Sequence, residues 1–317
     1  MASIVWILDA GAEGFLPVSL GSLRLHAQQF WRDHSKIVVD CGISPTMKEH
    51  LAQLAEERVY VVPGRFYTRA SDTLGVPAMR QRVEISAFAQ ELATLVSPFD
   101  GNVLVVDTDT VFLRPPMDFP FPDGAVDLAI MPDWDIVDGK IAETPMFRPV
   151  SLQRPQLEEN VEHIARQLGL PVPDLLALRS HNTGVFGFRV DRPFSGAWRT
   201  AYDDLTATTD LHGEPVFAPF AAEQNAMSLA IYRRWIIARP LPRRFNRLPP
   251  RPPRRWSAST VIAHFVTFRR FHHEQRYRLW FQTVDELRKA GFLSADFLPP
   301  YVASATPTVG VHDCDAR

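Results

Sequence analysis

Four short apolar runs separated by helix-period segments fill the first third of the chain and leave little choice of architecture. Ile4–Leu8, Lys36–Asp40, Arg58–Val62 and Asn102–Val106 read as strands. Between them, Pro17–Trp31, Thr46–Glu57 and Met79–Leu95 read as helices. The last carries Val83, Ile85, Phe88, Leu92 and Leu95 at helical spacing. Strands this short and apolar, alternating with helices, predict an α/β domain with a mostly parallel central sheet and helices on both faces. Beyond Asp109 the order loosens. The proline-rich Leu113–Asp123 is expected to loop, Asp127–Met131 to form a strand, and 132–155 to be irregular. Leu157–Leu168, Phe220–Trp235 and Glu274–Ala290 read as helices, and Val185–Phe188 and Val261–Val266 as further strands of the same sheet. We expect one domain over residues 1–300, divided near 110, and a loose tail over 301–317.

The 317 residues are 46 % hydrophobic and 22 % charged, a globular composition. Lys plus Arg (34) nearly balances Asp plus Glu (36), for a formal net charge of −2. A protein that holds nucleic acid by its general charge is basic, so this balance argues against nucleic acid as a partner. Ile4–Leu8 is far too short to span a bilayer and no basic region precedes it, so neither a signal peptide nor a transmembrane helix is expected. Two cysteines, Cys41 and Cys314, make neither a disulfide framework nor a cysteine zinc site. A reducing, cytoplasmic setting is the expectation.

The most informative segment is Asp107-Thr108-Asp109, which directly follows the fourth apolar run. In extended chain, residues two apart point to the same side, so the two carboxylates are expected to converge. The carboxyl end of a parallel strand is where open α/β sheets bind ligands. Like charges held that close call for a cation, and Mg²⁺ or Mn²⁺ suits oxygen ligands. Alone, such a common triplet reads first as a turn cap beside a solvated Asp.

Three further stretches follow in order: His181-Asn182-Thr183-Gly184 before an apolar strand, Ala222-Glu223-Gln224-Asn225 opening an apolar helix, and His264-Phe265 ending a strand. With D-x-D on the fourth strand, this ordered set resembles the GT-A nucleotide-sugar glycosyltransferases, particularly family 8-like and related retaining enzymes. The resemblance spans roughly Ile4 to His272. It implies a nucleotide-binding half over 1–110 and a half over 111–300 that completes the acceptor and metal sites. It also implies that Asp107, Asp109 and His264 hold Mn²⁺ (or Mg²⁺) on the diphosphate of a nucleoside-diphosphate sugar, most simply a UDP-sugar. A lone histidine there would otherwise be read as a hydrogen-bonded core residue.

The same resemblance implies roles for other residues. Thr108 lies within the D-x-D, and Asn182, Thr183 and Gly184 match a segment near the transferred sugar. Read locally, Gly184 permits a tight turn and Asn182 satisfies backbone groups. Glu223 and Gln224 match a pair near the anomeric carbon, with Gln224 positioning the sugar; locally, an acidic residue suits a helix N-terminus. Asp9, Ala10 and Gly11 match the nucleoside-binding end of the first strand, although many strand-to-helix turns carry Asp and Gly. One of Arg80 and Arg82 is expected to face the donor. Arg270 stands where relatives carry a phosphate-binding Lys, and Thr267 where they carry Gly. Asp133 and Asp135 are read either as lining the acceptor side or as an exposed loop.

Leu241-Pro-Arg-Arg-Phe245-Asn246 resembles the L-P-x-x-[YF]-N segment that precedes the last metal-ligand strand. The Arg/Pro-rich 239–255 stretch is read as a loop near the donor, with an anionic acceptor or a peripheral membrane contact as the lesser reading. A saccharide, a lipid-linked sugar or a protein could each be the acceptor. Two other readings compete. Asp107-Thr-Asp109-Thr-Val fits the D-x-D-x-T-V signature of haloacid-dehalogenase-like phosphatases, but on the fourth strand and with no late acidic Mg²⁺ pair. A noncatalytic sugar-nucleotide-binding domain would keep the same scaffold.

Overall fold

All seven residues of strand β1 (Ala2–Leu8) are buried in the computed structural model, as expected of a central strand covered on both faces. The structure describes residues 2–65, 76–95, 99, 101–137, 140–143, 146, 154–217, 219–248, 257–265 and 274–297. β1 pairs in parallel with β2 (Ser35–Asp40) on one side and with β4 (Asn102–Val106) on the other. β3 (Val59–Pro63) extends the parallel part beyond β2.

Side chains alternate across this sheet as the strand period requires. Val5, Ile7, Val103 and Val105 enter one apolar layer, and Ile4, Trp6, Leu8, Leu104 and Val106 the other. Helices α1 (Leu16–His26), α2 (Gln28–Asp33) and α3 (Pro45–Ala52) contribute Leu20, Phe30 and Leu51 to the second layer. α4 (Val76–Val83) and α5 (Ile85–Leu95) cover the first. The expected α/β sheet with helices on both faces is what forms.

Beyond β4 the sheet changes direction. β9 (His181–Arg189), longer than the expected Val185–Phe188, pairs antiparallel with β4 and with β6 (Leu128–Pro132). β10 (Ala238–Pro240) closes the order β10-β6-β9-β4-β1-β2-β3. The topology therefore places the carboxyl ends of β1 and β4 and the amino end of β9 on one edge. This is the edge where Asp9, Asp107 and Asn182–Gly184 emerge.

Several expectations are corrected. The late strand does not join the central sheet: β11 (Ile262–His264) pairs antiparallel with β5 (Thr110–Phe112) in a separate two-stranded sheet. Residues 132–155 contain a hairpin of β7 (Trp134–Val137) and β8 (Lys140–Glu143). Met79–Leu95 is two helices, because Ser195 Oγ takes the amide protons of Ser86 (3.0 Å) and Ala87 (3.1 Å), so neither completes the helical ladder. Ser86 Oγ reciprocates, accepting from Phe194 N (2.9 Å) and Ser195 N (2.7 Å) at the start of α8 (Ser195–Ala207). Pro17–Trp31 likewise divides at Ala27, whose φ of −141° is not helical. α7 (Val172–Ala177) and α8 were not anticipated, whereas α6 (Arg154–Gln167), α9 (Pro219–Tyr232) and α10 (Glu274–Lys289) lie where expected. α10 sets Trp280 and Leu287 against Val111 and Ala263, buttressing the small sheet. Among the described residues no helix is long and apolar enough to cross a membrane. Val266, Thr267, Arg270, the 249–255 part of the Arg/Pro stretch and the 301–317 tail lie outside the described residues.

Candidate active site

Asp107 and Asp109 do converge, but not as neighbours on an extended strand. β4 ends at Val106, and a turn intervenes before β5 starts at Thr110. The Thr110 hydroxyl closes that turn on the Asp107 carbonyl at 2.7 Å. The Asp107 amide continues the β4–β9 ladder to the Gly184 carbonyl at 2.7 Å. A turn held at both ends thus aims both carboxylates.

The second sheet supplies the partner. In the β5–β11 register His264 lies opposite Thr110, and the Phe265 amide donates to the Asp109 carbonyl at 2.9 Å. This places His264 Nε2 3.3 Å from Asp107 Oδ2 and 3.2 Å from Asp109 Oδ1. One ligand atom from each of the three residues falls within 4.8 Å of the others. Two carboxylate oxygens and an imidazole nitrogen at this spacing fit a divalent cation such as Mn²⁺ or Mg²⁺. The backbone leaves room for the ring. A Cβ on Gly184 would overlap the imidazole, so the residue serves space and not the tight turn expected of it. Gly184 lies within β9 and is not in the left-handed region.

Arg82, not Arg80, reaches this site. Its guanidinium pairs with Asp107 Oδ1 and donates to the Thr183 carbonyl at 3.2 Å, whereas Arg80 is exposed. The Thr183 hydroxyl donates to Glu223 Oε2 at 2.9 Å. Glu223 is buried, and among the described residues its Oε1 has no hydrogen-bond partner. Burial pushes its carboxyl above the ordinary range, against the opposing pull of Arg82 and the Thr183 hydroxyl. Glu223 and Gln224 sit inside α9, which begins at Pro219, so a helix-start preference does not account for them.

A cleft of about 390 Å³ joins these groups. Asp9, Gly11, Arg82, Asp107, Thr108, Asp109, Thr183, Glu223 and Gln224 all line it. Ala10 is exposed beside it. Asp9 Oδ1 accepts from the Gly11 amide at 2.9 Å, shaping the turn at the end of β1. Asp133 follows β6, its amide on the Ser180 carbonyl at 2.8 Å, and Asp135 is on β7. Asn182 is buried, and its Oδ1 accepts from the Gly184 amide and from Asn246 Nδ2. Asn246 in turn faces His264 Nδ1 at 2.9 Å. Sequence reasoning assigned Asn246 no role, although its L-P-x-x-F-N context was visible.

No protein-family model matches the chain, and no curated protein does. Solved structures do. The galactosyltransferase LgtC, crystallised with donor and acceptor sugar analogues, matches with a TM-score of 0.55 at 13 % identity, covering 92 % of this chain and 100 % of LgtC. WbbM, a bifunctional glycosyltransferase, matches with a TM-score of 0.51 at 15 % identity, covering 84 % of this chain and 45 % of WbbM. The chain has the GT-A fold. Within that GT-A frame the D-x-D lines the cleft beside a histidine from a separate sheet. The phosphatase reading is not favoured, because the two aspartates converge on His264 and the matching folds are glycosyltransferases.

Proposed function

We propose that this chain is a glycosyltransferase that moves a sugar from a nucleoside diphosphate, in the first instance UDP, to an acceptor hydroxyl with retention at the anomeric carbon. The observation that carries this reading is the Asp107–Asp109–His264 cluster, whose two aspartates line a cleft together with Gln224. A cation bound by those three side chains would act as a Lewis acid toward the negative charge that develops on the leaving diphosphate.

The chain's own groups supply the rest. Asp9 and Gly11, at the end of β1, receive the nucleoside. Arg82 adds fixed positive charge beside the diphosphate, oriented by the Thr183 carbonyl. Gln224 lines the cleft and positions the sugar. Glu223 is nearly inaccessible and accepts from Thr183, so it builds the cleft wall and does not attack C1. In this reading the bond from C1 to the diphosphate oxygen breaks as the acceptor oxygen bonds to C1 on the same face. The acceptor's proton passes to the departing diphosphate. The acceptor is a saccharide, a lipid-linked sugar or a protein, approaching from the side of Asp133 and Asp135.

A panel of nucleotide sugars tests the proposal. One of them should raise Tm in the presence of Mn²⁺, by mass action on the native state, and should be slowly hydrolysed. Absence of any Mn²⁺-dependent binding or hydrolysis across the panel would overturn it.

A further inference from the structure

A neutral imidazole has one N–H and one lone pair, and only the lone pair can bind a cation. Which nitrogen of His264 carries the proton follows from a chain of hydrogen bonds on the ring's far side. It starts at the Gly184 amide, which can only donate, and which reaches the Asn182 side chain at 3.0 Å. The Asn182 atom there is therefore its oxygen. That same oxygen lies 2.9 Å from the Asn246 side chain, so Asn246 must turn its NH₂ toward it. The Asn246 oxygen is left facing His264 Nδ1 at 2.9 Å. An amide oxygen only accepts, so Nδ1 carries the hydrogen. Nε2 keeps its lone pair, aimed between Asp107 and Asp109.

Each link is closed to solvent: Asn182 is 2 % exposed, Asn246 0 % and His264 3 %. Turning either amide over would oppose two donors or two acceptors with no water to relieve them. The carboxylates by themselves favour the opposite tautomer, in which Nε2–H donates to one of them. The asparagine chain works against that preference.

We infer that Asn182 and Asn246 are positioning residues that hold His264 in its Nδ1–H tautomer, keeping the Nε2 lone pair available to a divalent cation shared with Asp107 and Asp109. This rests on the metal-dependent reading above. It gives Asn182 a task on the far side of the ring and not on the transferred sugar. Support of this kind from beyond the ligands is a recurring need of metal-binding histidines.

The test uses the full chain labelled with ¹⁵N-histidine, free of metal and nucleotide, at pH 9. Long-range ¹H–¹⁵N spectra read the tautomer, and His264→Gln identifies the signals. Wild type should show Nδ1–H. Asn246→Leu and Asn182→Leu should shift it toward Nε2–H and weaken Mn²⁺ binding, followed by EPR, by about 10–100-fold. Asn182→Asp, whose carboxylate accepts both hydrogen bonds, should retain the wild-type tautomer. A wild-type Nε2–H tautomer at His264 would overturn the inference, and reading it requires neither asparagine variant to fold. So would Leu variants with unchanged tautomer and unchanged Mn²⁺ affinity. Wild-type Nδ1–H in a protein that transfers no sugar would sink the enzymatic reading and leave this inference standing. An active, Mn²⁺-dependent enzyme with Nε2–H would do the reverse.

Discussion

The imidazole of His264 lies against the backbone of Gly184 so closely that an added Cβ would sit 2.0 Å from Cε1, 2.6 Å from Nδ1 and 2.7 Å from Nε2. No rotamer adjustment of a ring held by Asn246 absorbs an overlap that large. Gly184→Ala should therefore displace His264 and weaken Mn²⁺ binding at least about tenfold, measured by EPR titration. Urea unfolding should show an overpacking cost of about 1–3 kcal/mol. Unchanged Mn²⁺ affinity would mean that the ring need not occupy this place.

Asp107 has a counter-charge in Arg82, and Asp109 reaches Asp107 across His264. Asp109→Asn removes one of two like charges while keeping its shape. The metal-free variant should keep its Tm within about 2 °C of wild type or exceed it. The rise in Tm on adding Mn²⁺ should vanish, and turnover of the nucleotide sugar should fall by about 10²-fold or more. A variant that loses stability without metal yet keeps the Mn²⁺ response would contradict the cation site.

Burial raises the Glu223 carboxyl above its ordinary value. The folded state therefore keeps a proton that the unfolded chain releases, and this contribution to stability declines as pH rises from the unfolded value. Glu223→Gln removes the titration and retains an acceptor for Thr183. Its stability relative to wild type should grow between pH 5 and pH 8, read by urea unfolding at both. A constant difference across that window would show that Glu223 is not held protonated by its surroundings.

Lys36 is buried at the start of β2, with Nζ 2.5 Å from the Trp31 carbonyl and 2.8 Å from the His34 carbonyl. Burial lowers its pKa to about 7, helped by nearby Arg58. Here the unfolded chain binds a proton that the folded one gives up, so stability rises with pH from about 7 to 10.5. The stability of wild type relative to Lys36→Met should increase from pH 7 to pH 10, followed by chemical unfolding. A flat difference would place the ammonium in the folded state throughout.

Much of the fold was legible because burial on both faces leaves a direct mark. β1, β2 and β4 each carry an unbroken apolar stretch, Ile4–Leu8, Ile37–Val39 and Val103–Val106, as the centre of a sheet covered on both faces requires. Helix breaks were not legible. The apolar spacing of Met79–Leu95 continues straight through Glu84, while the interruption comes from Ser195, 109 residues beyond Ser86. β11 was recognised as a strand, but pairing partners are invisible in a three-residue segment, so its separate sheet was missed. At the site, Arg80 and Arg82 were indistinguishable as residue types; only the pitch of α4 turns one of them toward Asp107.

Residue chemistry along the chain was enough to mark the layered α/β architecture, the acidic pair after the fourth strand and the candidate partners downstream. Apolar periodicity and charge are local properties, and the unaided sequence contains them in full. The meeting of Asp109 with His264, the seat that Gly184 leaves for the ring and the asparagine chain behind it exist only once two separate sheets have formed. Distances of about 3 Å between residues 155 positions apart are set by strand register and turn closure, and no local pattern encodes them.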